Sequence, residues 1–484
     1  MIRHEYLVIG AGPGGLCSGI KLKESGRDDF AILEKASGVG GTWYHNRYPG
    51  AACDVPSHLY SFSFDCRADW PRPFSPQAEI LSYLEACAEK HGLLPHIRFD
   101  TKVEAAMWVD AESLWRVTTR SGEVYEAPIL LCALGMFNEL NYPEIPGLDS
   151  FEGTTFHSAR WQHDHDLSGE HVAVIGSAAS AVQFVPQIAK QVGQLDLYQR
   201  TANWVLPKED TPFSTEQIEH FRNDPEALRG AREEIFNVLE PVLTLDNEDI
   251  LAASDKAGRE AILQVEDPDL QRRLVPQHPY GCKRPLLSND YYPTFNRSNV
   301  ELITDSIERI EPKGVVTTDG KLREADTLIL ATGFDTTRYL SAIEVVGREG
   351  RRLEEEWNDG AYAYLGTVVP NFPNLFMMYG PNTNNGSILE MIESQVAFAM
   401  AQIERIETQN LVSLEISQEA TDAYNDQLQK DIAGVKAWQA DCLGYYRSSS
   451  GRIVTQWPHN MTEYANRTRG ADPDAFIARE RSGA

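Results

Sequence analysis

No stretch of the sequence approaches the ~20 consecutive apolar residues that a membrane-spanning helix requires. The longest candidate, Pro128 to Phe137, is far shorter and reads as a buried strand. The opening residues, Met1-Ile2-Arg3-His4-Glu5, run straight into a strand with no signal-peptide pattern. Cys17, Cys53, Cys66, Cys87, Cys132, Cys282 and Cys442 are scattered, odd in number and never spaced Cys-x-x-Cys. That spacing suits neither a disulfide framework nor a zinc site. No metal is expected, and a reducing, cytoplasmic setting is. Basic side chains are outnumbered, 44 Lys and Arg against 71 Asp and Glu, for a formal net charge of −27. An acidic surface repels phosphate, which argues against a nucleic-acid partner and leaves a solvated, solubilising exterior as the plain reading. Also missing is any internal repeat of solenoid length.

What is present is an ordinary globular composition, 42% hydrophobic and 24% charged over 484 residues, enough for two or three domains. Tyr6-Leu7-Val8-Ile9 is short, β-rich and ends in glycines, as a buried parallel strand should. A helix from about Gly15 to Glu24 and a strand from Phe30 to Leu33 follow. The same grammar returns at His171-Val172-Ala173-Val174-Ile175, with a small-residue turn, a helix and the strand Leu195 to Tyr198. The predicted fold class is therefore α/β, with two dinucleotide-binding, Rossmann-like domains. Asn141-Tyr142-Pro143-Glu144-Ile145-Pro146-Gly147 marks a linker between them. From about Lys208 to Gln277 the pattern turns helical and charged, with Leu228, Ala231, Ile235 and Leu239 along one apolar face. Another buried strand, Thr327 to Leu330, ends at Ala331-Thr332-Gly333. The expected divisions are a first nucleotide-binding segment over 1–140, then a linker and the start of the second over 141–207. A helical insertion over 208–277 follows, the second domain resumes over 278–334, and 335–484 returns to the first domain and ends in a tail.

The first glycine turn, Gly10-Ala11-Gly12-Pro13-Gly14-Gly15, is a G-x-G-x-x-G set between a strand and a helix. Gly10, Gly12 and Gly15 permit the tight turn and let backbone N–H groups approach a pyrophosphate at the helix N-terminus. Glu34 ends the next strand, where a carboxylate can hold a ribose 2′-hydroxyl. The second turn, Gly176-Ser177-Ala178-Ala179-Ser180-Ala181, has Ala178 in place of the middle glycine. Arg200 stands at the same offset from Gly176 as Glu34 does from Gly10, and Thr201 follows with a hydroxyl. An arginine there suits the 2′-phosphate of NADP and would waste its charge on NAD. One site with an acid and one with a base point to FAD first and NADPH second, with Ser177 and Ser180 in the second cradle. Taken alone, Arg200 could also be a solvated residue at a strand end.

Two further stretches are more specific. Gly40-Gly41-Thr42-Trp43 is followed by Tyr48-Pro49-Gly50 and then Asp54, and Phe151-Glu152-Gly153 leads through His157 to Trp161. Together with Gln199-Arg200-Thr201, Lys283-Arg284-Pro285 and Ala331-Thr332-Gly333, these resemble the fingerprints of type I Baeyer–Villiger monooxygenases, a class B flavoprotein family. The resemblance covers nearly the whole chain. In that family Pro or Asp usually follows the tryptophan, where this chain has Gln162. The related flavin-containing monooxygenases usually carry Tyr or Phe where Trp161 stands.

The resemblance implies that NADPH reduces FAD, that dioxygen forms a flavin peroxide, and that this attacks a ketone to give an ester or lactone. It implies Arg284 as the fixed catalytic cation, since a guanidinium stays charged without giving up a proton. Asp54 would orient Arg284, and Lys283 would help hold the NADP 2′-phosphate. Thr42, Trp43 and Tyr60 would line FAD, although both aromatics also suit a core. His157 would couple domain movement rather than take part in chemistry. The stretch from Gly380 to Gly386 would approach the flavin, and Tyr445, Tyr446 and Trp457 would shape the substrate side or simply pack. A monooxygenase acting on soft nitrogen or sulfur shares this architecture, as does a non-enzymatic NADP-sensing flavoprotein. A disulfide reductase does too, but it requires a redox-active cysteine pair that the sequence lacks.

Overall fold

The computed structural model describes residues 1–337, 339–441 and 444–481. Two five-stranded parallel sheets organise it. The first runs Leu375–Met377, Ile129–Cys132, Tyr6–Ile9, Phe30–Leu33, Ile97–Arg98. The second runs Val300–Ile303, Gln194–Tyr198, His171–Ile175, Thr327–Leu330, Thr154–His157. In both, the glycine-ended strand lies in the middle, with its successor on one side and a later strand on the other. Strand order therefore reverses at the carboxyl ends of Tyr6–Ile9 and His171–Ile175, the switch point where open α/β sheets bind ligands. The fold is α/β with two Rossmann-like halves and a helical insertion, as the sequence pattern indicates.

The strands read as continuous apolar runs because both sheet faces are covered. Leu7, Val8, Ala31 and Ile32 have no exposed surface, and neither do Val172, Val174, Leu195 and Leu197. The first helix spans Pro13–Glu24, starting earlier than the periodicity alone suggests because Pro13 supplies a helix-ready φ at its first turn. Helix Ile388–Thr408 packs along it, and strand Leu375–Met377 joins the first sheet, so the last third of the chain folds back onto the first core.

The insertion consists of helices Thr215–Asn223, Pro225–Leu243, Glu248–Ile262 and Pro268–Leu274. It serves both halves rather than the second alone. Ile235 and Leu239 pack on the first core, whereas Ala261 and Ile262 belong to the second. Arg232 ties it further to the first half, donating to the carbonyls of His58, Leu59 and Ser61 and pairing with Glu390.

The two crossings between the halves are zipped together. Asn141 N–H donates to the Gly333 carbonyl at 3.0 Å, and Asp335 N–H donates to the Glu139 carbonyl at 3.0 Å. His157 closes this seam, its Nε2 lying 3.1 Å from the Gly333 carbonyl and its ring edge-on to Tyr142 and Phe334. No helix among the described residues is long and apolar enough to cross a membrane. Cys17, Cys53, Cys66, Cys87 and Cys132 are free thiols. Cys282, however, is disulfide-bonded, against the expectation that no cysteine is; Cys442 lies outside the described residues.

Candidate active site

Both glycine turns end in helices whose first amides have no side-chain cap. By contrast Ser214, Asp224, Asn247 and Asp267 cap the helices of the insertion. Free N–H groups and the positive end of the helix dipole make an anion cradle at each turn. Gly10 and Gly176 hold φ of +97° and +104°, and a Cβ on either would stand 2.6 or 2.4 Å from a carbonyl oxygen of the neighbouring strand's continuation. Side chains are therefore shut out at both turns.

Ala178 fits its place without strain. Gly12 has φ −76° and ψ −173°, Ala178 has φ −91° and ψ −156°, and any residue adopts that extended conformation. The missing middle glycine thus leaves the second turn intact.

Glu34 sits at the lip of the first cradle with only 5% of its surface exposed. Its carboxylate accepts from the N–H of Ala11 at 2.6 Å and of Ala36 at 2.7 Å. Burial raises its pKa, and those two bonds oppose the rise. Two bonds leave acceptor capacity for a ribose hydroxyl. At the second lip stand Arg200 and Lys283. Burial lowers the Lys283 pKa and the nearby Arg200 charge lowers it further. Among the described residues neither cation pairs with a carboxylate, so the pair lacks an anion that a phosphate would supply.

One cavity of about 1310 Å³ connects the two cradles. That exceeds the ~300–1,000 Å³ of a single small-ligand pocket. Gly10, Gly12, Glu34, Thr42, Trp43 and Tyr60 line it from the first half. Gly176, Ser177, Ser180, Arg200, Thr201 and Lys283 line it from the second. Gly15 stands back from the wall, where a Cβ would lie 1.8 Å from the Gly10 carbonyl oxygen. It serves close packing of helix on turn rather than contact with a ligand. Trp43 Nε1 donates to Tyr60 Oη at 3.0 Å, and the rings meet edge-on, 5.6 Å between centroids.

Between the cradles, Asp54 and Arg284 meet across 230 residues of sequence. Arg284 donates from Nε to Oδ2 at 2.8 Å and from Nη2 to Oδ1 at 2.6 Å, a two-point clasp. The Asp54 charge lifts the Arg284 pKa well above the ordinary arginine value, against the opposing effect of burial. A permanent cation is thus held facing the cavity.

Tyr445 and Tyr446 line this cavity, as do Tyr379, Asn384 and Gly386. Trp457 does not. It is fully buried, donates to the Asn460 carbonyl and packs edge-on against Tyr464, so its role is structural. Sequence reasoning missed Tyr379, whose phenol donates to Asn384 Oδ1 at 2.8 Å, and the partnership of Tyr48 with Gln183. A tyrosine just past an apolar strand, or in a loop, carries no pattern of its own. Among the described residues no cluster of three metal-ligating side chains exists.

Two anion cradles at parallel switch points, facing across one cavity with a clasped arginine between them, define an oxidoreductase that binds two dinucleotides. Residues 7–223 match the family model described as pyridine nucleotide-disulphide oxidoreductase. The chain is 39% identical to a Baeyer–Villiger monooxygenase of Pseudomonas aeruginosa, the match covering 98% of this chain and 91% of that protein. It superposes with a TM-score of 0.90 on cyclohexanone monooxygenase from Rhodococcus sp. Phi1 bound to NADP+, at 32% identity, covering 99% of this chain and 100% of that one. A further solved structure, OTEMO complexed with FAD and NADP, superposes with a TM-score of 0.88 at 28% identity, covering 98% and 99%. The chain belongs to the Baeyer–Villiger monooxygenase family.

Proposed function

We propose that Arg284 is the catalytic cation of an NADPH- and FAD-dependent Baeyer–Villiger monooxygenase, and that Asp54 positions it. The reaction converts a ketone, dioxygen, NADPH and a proton into an ester or lactone, NADP+ and water. FAD is assigned to the cradle of Gly10, Gly12 and Glu34, with Thr42, Trp43 and Tyr60 beside it. NADPH is assigned to the cradle of Gly176, Ser177 and Ser180, with Arg200, Thr201 and Lys283 on its 2′-phosphate. Bound FAD supplies activation of dioxygen, and NADPH supplies the reducing equivalents.

The residues of the chain supply binding, orientation and charge. Asp54 occupies Nε and Nη2 of Arg284, which leaves Nη1 to hydrogen-bond the ketone oxygen as negative charge gathers there. Because its pKa is raised, Arg284 stabilises that charge without releasing a proton. Tyr379, Tyr445 and Tyr446 give the substrate side an aromatic wall that limits water. The observation that carries this reading is the clasped Arg284 standing between two cradles. We place the enzyme in the cytoplasm because Cys17, Cys53, Cys66, Cys87 and Cys132 are free thiols, although Cys282 is disulfide-bonded.

Replacing Arg284 with Ala tests the assignment. Ester formation should fall by at least ~10²-fold, the scale for a lost oxyanion donor, while the protein remains yellow and NADPH still reduces its flavin. An Arg284→Ala enzyme that forms ester at the normal rate would sink the assignment.

A further inference from the structure

The loop that ends in Asp54 is fixed at its other end to the second half of the molecule. Tyr48 belongs to the first half by sequence, yet its ring packs on the second core, edge-on to Phe184 at 6.0 Å. Its phenol donates to Gln183 Oε1 at 2.8 Å. The same Gln183 donates from Nε2 to the Ala52 carbonyl at 2.9 Å, so one amide grips the loop on both sides of Gly50. At Gly50 itself, φ is +80° and a Cβ would lie 2.6 Å from the Gln183 carbonyl oxygen and 2.9 Å from Gln187 Cγ. Loop and helix backbone are in direct contact there, and only glycine fits. Gln183 lies on helix Ala179–Ile188, whose uncapped N-terminus forms the second cradle. From Ala52 the chain runs two residues to Asp54 and its clasp on Arg284.

We infer that Gln183 is a positioning residue: it locks the Tyr48–Asp54 loop to the helix of the nucleotide cradle, and so holds Asp54 and Arg284 in register with the bound nucleotide. This rests on the reading of Arg284 as the oxygenation cation. Hydride delivery needs only the two cradles, whereas oxygen insertion also needs the cation in place. Loosening the loop therefore separates the two half-reactions. Reduction continues, and reducing equivalents leak to hydrogen peroxide instead of entering ester.

The test uses the holoenzyme and the ketone that the wild type oxidises fastest in a panel of cyclic and open-chain ketones. Gln183→Met keeps the side-chain length and removes both hydrogen bonds, and Gly50→Ala pushes the loop off the helix by a separate route. Each should lower the ester formed per NADPH about tenfold, the scale of one or two lost hydrogen bonds. The KM for NADPH and the rate of flavin reduction without dioxygen should stay within about twofold. Tyr48→Phe, which loses one bond, should fall between. Hydrogen exchange of residues 48–54 should quicken in all three, a readout independent of turnover. Unchanged coupling, or a loss of NADPH affinity and flavin reduction in step with ester formation, overturns the inference. A wild type that makes no ester from any ketone overturns instead the reading on which it rests.

Discussion

Nucleotide choice is set at the scale of single side chains. Arg200 and Lys283 form a site with two positive charges and no carboxylate among the described residues to balance them, so its affinity should depend on a doubly charged partner. Replacing Arg200 with Ala should raise the KM for NADPH about 10- to 100-fold, as expected for a lost charge-assisted hydrogen bond. Rates with NADH should change little, and initial-rate measurements with the two nucleotides decide it. An equal loss with both would mean that Arg200 supports the fold rather than reading the phosphate. Asp54→Ala should behave differently. It leaves Arg284 partly buried without its partner, so ester formation should fall while flavin content holds, measured as product per flavin. The acid and base at the two lips were legible in the sequence because the βαβ register carries them to equivalent positions. The Tyr48 to Gln183 bond was not, because it joins residues 135 apart in sequence that only docking of the two halves brings together.

At the scale of the elements, the two glycine turns show which positions geometry forbids and which it only prefers. Gly15 carries a helix pressed on the preceding turn, and an added Cβ would stand 1.8 Å from the Gly10 carbonyl. Gly15→Ala should therefore displace helix Pro13–Glu24 and cost the protein its flavin, read as visible absorbance per mole of purified chain. Gly12→Ala meets Gly41 Cα at an ordinary 3.4 Å, and Ala178 already occupies the matching place in the second turn. That variant should melt near the wild-type temperature and bind FAD more weakly, because the methyl enters the cradle rather than the core. The strands and first helices could be read from apolar runs and glycine punctuation. The partners of the insertion could not, because its amphipathic pattern shows that a face is buried and not which core buries it. Ile235 and Ala261 lie on neighbouring helices and pack on different cores. Trp457 shows the same limit, since an aromatic in a tail reads alike whether it faces a substrate or the interior.

For the molecule as a whole, buried histidines link stability to pH. His58 and His278 are 4% and 9% exposed, have ring nitrogens without partners, and are pushed by burial from 6.5 down to about 4. Between those values the unfolded chain binds protons that the folded chain does not, so the two histidines lower stability as pH drops from 6.5 towards 4, and their contribution is constant above neutrality. The loss is at most ~3 kcal/mol per histidine. Thermal melts from neutral to mildly acidic pH should show it, and His58→Gln should remove its part of the slope. The functional claim for the whole enzyme is that one atom of dioxygen ends up beside a ketone carbonyl at the expense of one NADPH. Turnover of a ketone panel under isotopically labelled dioxygen, with NADPH use recorded and products weighed by mass spectrometry, measures this directly. We expect an ester or lactone carrying one labelled oxygen for each NADPH consumed. No ester from any ketone, or an inserted oxygen that comes from water, would contradict it.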